Sequence, residues 1–173
     1  MGRSSAKKIA SLALLCALAL LAYMLEGLFP PLFFPGAKLG LANVFTLLAL
    51  VMFGPAEAGV TVLAKCLLGA VFGGNFSALL YSLPASFAAL AAEALLYRLF
   101  FPKITVVSVS VAAAVVHAAV QNLVFALVTG MKETLIYLPY LAAIGAAAGV
   151  AVGFAVYLAV KTLPKNLFDN RRQ

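Results

Sequence analysis

The chain has 173 residues, 65% of them hydrophobic and only 10% charged, with a mean hydropathy of +1.12 and a net charge of +7. This composition excludes a soluble globular domain and leaves room for five or six membrane spans of about 20 residues. The charge does not mark a nucleic-acid binder, because the basic residues gather at the chain ends and one inter-span turn instead of along a face interleaved with aromatics.

The first apolar run, after Arg3, Lys7 and Lys8, looks at first like a signal peptide. It is of full spanning length and no small-residue cleavage site precedes a polar mature start, so it reads as a first transmembrane helix over 9–28. Its small residues Ala6, Ala10, Ala13 and Ala17 share a face suited to close helix contact.

Residues 29–39 break this regularity without becoming polar. Pro30, Pro31 and Pro35 remove amide donors and Gly36 loosens the backbone, yet Phe29, Phe33 and Phe34 surround a single cation, Lys38. Such a segment fits an apolar lid that lies over the mouth of a bundle and presents Lys38, and then Asn43, to the interior.

Further spans follow at 38–53, 56–72, 77–101, 104–129 and 135–161, giving an all-α, six-helix membrane bundle in one domain. With six spans, the N-terminal basic group, the turn with Arg98 and Lys103, and the tail with Lys161, Lys165, Arg171 and Arg172 all fall on the cytoplasmic side of the plasma membrane. An odd number would split them. In the last span Gly145, Gly149 and Gly153 recur every four residues, a ladder that packs on another helix of the chain or on a second copy.

Ionisable groups inside spans need a partner or a purpose. Counted from the cytoplasmic ends of their helices, Lys65 is about 13 Å deep and Glu93 about 12 Å, which predicts a buried ion pair locking the third and fourth spans together. The functional alternative is a proton or ion relay. His117 and Gln121 lie one turn apart on the fifth span, with Asn122 beside them. Asn43, Asn75, Ser77, Tyr81, Lys132, Tyr137 and Tyr140 count to the same outer half, and the joint pattern predicts a ligand cavity opening outward. Cys16 and Cys66 sit in apolar runs without disulfide or metal spacing, and no cofactor, metal ligand set or catalytic group is expected.

The stretch PGAKLGLANVFTLLAL at 35–50, then Lys65, then GGNFSALLYSLP at 73–84, resembles the membrane family called heptaprenyl diphosphate synthase component I. That family is grouped with the Gx transporters, which include the substrate-binding S components of energy-coupling factor (ECF) transporters. The resemblance implies an S-component-like bundle whose loop after the first helix caps a small-molecule site. It also implies docking on a transmembrane coupling subunit and its ATPases through first-helix residues such as Ala13 and Ala17. His117 and Gln121 match polar positions of the fifth helix, whereas Ala118 stands where a further polar residue is expected.

Synthase chemistry finds no support in the residues. Holding magnesium on a diphosphate takes clustered carboxylates, and the single aspartate is Asp169 in the tail. No phosphate-binding glycine loop is present, so the chain reads as a non-enzyme that leaves ATP hydrolysis to another polypeptide. Three functions follow: a substrate-binding subunit for a vitamin-, flavin- or isoprenoid- or quinone-precursor-like molecule, a membrane anchor for a soluble prenyl transferase, and a solitary transporter coupled through Lys65 and Glu93. The last is disfavoured by the lack of an internal repeat.

Overall fold

The structure is a computed structural model that describes residues 2–28 and 40–162, with the side chains of 2–5 left aside. The expected lid at 29–39 and its Lys38 lie outside the described residues, as do Lys165, Arg171 and Arg172. The described elements are α1 (Gly2–Glu26), α2 (Asn43–Met52), α3 (Pro55–Gly73), α4 (Phe76–Phe100), α5 (Val106–Thr129), a 3-10 turn (Lys132–Tyr137) and α6 (Leu138–Thr162).

Three of the long helices begin where the sequence supplies a start signal. Pro55 opens α3, where a missing amide costs nothing. Asn75 caps α4 by accepting from the Ala78 amide at 3.0 Å, and Thr105 caps α5 by accepting from the Ser108 amide at 3.1 Å. Between α3 and α4 the chain reverses at Gly74, whose φ of +62° is left-handed and open to glycine at no steric cost.

Among the described residues five helices are long and apolar enough to cross a membrane, where the sequence predicted six spans. The exception is α2. Its 10 residues rise about 15 Å, half of a hydrocarbon core. Gly40, at φ +82°, turns the chain, and the Asn43 amide closes that turn on the Gly40 carbonyl at 2.9 Å, so the helix starts only after it. Hydropathy runs on through 40–42, but the backbone of those residues is a turn and not a helix.

The direction count nevertheless stays even. The α1–α3 contacts ascend together: Lys8 pairs with Glu57, the Cys16 thiol meets the Thr61 hydroxyl at 3.7 Å, and Tyr23 covers Gly69, so α1 and α3 are parallel. α2, joined to α3 through Phe53 and Gly54, runs against both. The α4, α5 and α6 helices then alternate. Lys7, Lys8, Arg98, Lys103 and Lys161 are thereby gathered at one end of the bundle, here termed the basic end.

Large apolar side chains cover the outside, among them Leu14, Leu21, Leu127, Phe154 and Tyr157, as a lipid-facing surface requires. Inside, α5 and α6 pack most closely through the glycine ladder. A methyl at Gly149 would stand 2.8 Å from the Val111 Cα, and one at Gly153 would stand 2.6 Å from the Val107 Cα. The ladder is therefore an intramolecular seam. Gly69 plays the same part between α3 and α1, since a Cβ there would run into the Tyr23 ring. Gly69→Ala is expected to destabilise the detergent-solubilised protein by about 1–3 kcal/mol, read as an earlier thermal loss of circular dichroism, because Tyr23 is itself buried and has little room to yield.

Candidate binding site in the bundle interior

Polar side chains inside the bundle fall into three tiers along its axis. The middle tier is fixed by the Cys66 thiol, 3.7 Å from the Ser86 hydroxyl, and by His117, whose ring faces the backbone of Ala85. Lys65 belongs to this level. It is 2% exposed, and its ammonium donates to the Asn43 Oδ1 at 2.5 Å. The tier nearer the basic end holds Glu93, 3% exposed, whose Oε2 has no hydrogen-bond partner. Glu93 borders a cavity of about 10 Å³, the size of one water, together with Gly40, Asn43, Ser110, Ala114, Gly149 and Val152. The tier on the far side contains Gln121 and Tyr81, whose ring meets Phe125 edge-on at 5.4 Å.

The expected Lys65–Glu93 ion pair is not formed. No N–O approach within 4.0 Å joins them, and the lysine instead takes Asn43. The reason is register. The two helices are aligned by the tight Gly74–Asn75 reversal, and α4 outruns α3 at the basic end, 25 residues against 19. Ser86 therefore faces Cys66, and Glu93 lies two turns further on, about 10 Å along the axis. Counting depth from the basic ends hid this offset. Lys65 still lies within electrostatic reach of Glu93, Glu26 and His117, so Asn43 is the residue through which the α2 start is tied to the charged interior.

Other expected site residues separate. Asn43 belongs with Lys65 in the bundle interior and not with an outer cluster. Asn75 is exposed, and its Oδ1 is engaged by the Ser77 hydroxyl at 2.8 Å and the Ala78 amide, which makes it a helix cap outside the buried set. Lys132, Tyr137 and Tyr140 are exposed at the end opposite the basic one. Asn122 is buried and donates to the Thr134 carbonyl at 3.1 Å, holding the 3-10 turn on α5. His117 and Gln121 remain buried together, with no protein partner at the His117 Nδ1. Ala13 and Ala17 are exposed on the outer face of α1.

Sequence reasoning missed Glu26. It closes α1, is buried, and accepts from the Leu41 amide at 2.7 Å, so it fastens the segment just ahead of α2 to the end of α1. A carboxylate within the apolar run around Tyr23 and Leu28 was the available signal. Among the described residues no three His, Cys, Asp or Glu side chains converge as a metal site.

The sequence profile of the family described as heptaprenyl diphosphate synthase component I matches residues 15–158, most of the chain, from within α1 to within α6. The chain belongs to that family. A search of curated proteins finds no match. The matched region contains all the buried polar side chains described above, from Glu26 through Thr134.

Proposed function

We propose that the chain is a substrate-binding membrane subunit of the plasma membrane, with both termini cytoplasmic. It captures a small, partly apolar molecule on the side opposite the basic end and passes it inward with a separate coupling subunit and ATPases. The observation that carries this reading is the buried Lys65 held on Asn43 where the short α2 begins at mid-depth, with buried His117 at the same level and buried Glu93 in the tier toward the basic end. Charge kept in a membrane interior is costly, and a broken helix at mid-depth is how membrane carriers expose polar groups to a substrate. Lys65 supplies a cation for an anionic or carbonyl group, the Asn43 and Gln121 amides fix orientation, and Tyr81 with Phe125 provides an apolar wall. The open Ala13–Ala17 face of α1 supports docking on a coupling subunit.

Native mass spectrometry of the protein from its own membranes tests this. A retained small molecule is expected, with occupancy lowered at least roughly tenfold in Gln121→Ala, a loss of about 1.4 kcal/mol of binding. A second reading comes from the family name: an accessory component that anchors a soluble prenyl synthase. A bare chain co-purifying with such a synthase, with Gln121→Ala silent, would replace the first reading by the second.

A further inference from the structure

A second concavity lies at the basic end, reached at Leu50, two turns along α2 from Asn43 and the Lys65 cluster. It has a volume of about 560 Å³, within the range of ligand sites, and is open toward the bundle exterior. Its walls are Leu50 at the end of α2, Gly54 and Pro55 of the α2–α3 turn, and the α4 face with Ala91, Ala94, Leu95, Tyr97 and Arg98. Small residues create the hollow: Gly54, Ala91 and Ala94 withhold side chains where neighbours carry bulk. One wall is stiffened by Tyr97, whose ring stacks on Phe101 with centroids 4.6 Å apart.

Charge in this groove is one-sided. Arg98 is the only charged residue of the lining, is exposed, and has no carboxylate within 4.0 Å among the described residues. Glu57, the acid nearest along the chain to the turn, is taken by Lys8. A soluble ligand would leave the apolar wall unmatched, and an apolar helix would leave the guanidinium unmatched. An amphiphile with an anionic head matches both, and a guanidinium fork is shaped for phosphate oxygens. The groove also sits at the end where Lys7, Lys103 and Lys161 add positive potential, the usual setting for anionic headgroups.

We propose that this groove seats one anionic phospholipid, its phosphate on Arg98 and one acyl chain along Ala91, Ala94 and Leu95. Occupancy would brace the α2–α3 turn against α4 without touching the Lys65 tier.

The test uses the full chain in detergent, titrated with phosphatidylglycerol or phosphatidylcholine and read by native mass spectrometry, with circular dichroism melting to confirm folding. Wild type is expected to retain one phosphatidylglycerol at least tenfold better than phosphatidylcholine. Arg98→Gln, an exposed substitution, should erase that preference. Ala91→Phe, also exposed, should fill the hollow and lower retention of both lipids with Arg98 intact. Unchanged retention in Arg98→Gln, or equal retention of the two lipids, overturns the assignment. Displacement of the lipid by millimolar inorganic phosphate would show that the groove reads free phosphate, and a protein subunit excluding lipid from it would show a docking face; either result also overturns it.

Discussion

Gly149→Val is expected to cost more stability than any other single glycine substitution at the α5–α6 seam short of Gly153, lowering the melting temperature by roughly 10 °C or preventing accumulation of the folded protein. The added atoms meet backbone: a Cβ alone would stand 2.8 Å from the Val111 Cα and 3.0 Å from the Ser110 carbonyl oxygen, neither of which can rotate away. Relief requires α6 to move off α5, and that would also open the Glu93 cavity, which Gly149 lines. Two controls separate the seam from glycine chemistry. Gly145→Ala faces the Ala114 carbonyl at 3.2 Å and should cost less, while Gly73→Ala meets nothing within 4 Å and should be neutral. Melting followed by circular dichroism is the appropriate measure, because the chain has no Trp to report by fluorescence. A Gly149→Val protein as stable as wild type would mean that the two helices do not pack along this ladder.

The second large effect concerns Lys65. Lys65→Met keeps the stem and removes the ammonium, leaving Asn43 without its donor and Glu93 without the nearest opposing charge. A loss of about 3 kcal/mol is expected, in line with the removal of one partner from a buried charged set. Glu93→Gln should be milder, under about 1.5 kcal/mol, because the Oε2 has no hydrogen bond to lose and the two groups are not in contact. The combination is informative. With both charges gone the double variant should recover part of the Lys65→Met loss, giving a coupling energy of about 1 kcal/mol in a double-mutant cycle. Strict additivity would show that the two charges do not sense one another across Asn43. Ligand retention measured on the same proteins distinguishes a structural lysine from a binding one: the double variant, refolded but charge-free, should still fail to hold substrate.

The position of these groups was only half legible beforehand. Each of Lys65, Glu93, His117 and Gln121 stood out because an ionisable or amide group in an apolar run of spanning length has few reasons to be there. Their burial followed. What could not be read was which of them meet, since depth counted along one helix says nothing about where its neighbour begins. A six-residue difference in length between α3 and α4, 19 against 25, shifted Glu93 two turns away from Lys65. Asn43 became the lysine's partner because Gly40 turns the chain and starts α2 at mid-depth, next to the tenth residue after Pro55.

The sequence by itself determined that this is a helical membrane protein, where its five long helices run, and that Lys7, Lys8, Arg98, Lys103 and Lys161 share one end. Those properties follow from continuous hydropathy, capping residues and charge, which are local. It also marked the glycine ladder as a packing seam. Only the tertiary structure decided that the second segment is a ten-residue helix and that the ladder closes on α5. It likewise decided that Lys65 answers to Asn43, that Glu26 ties the α2 start to α1, and that Asn75 is a cap. Those outcomes depend on helix register and on backbone turns at single glycines, and neither leaves a trace in a hydropathy profile.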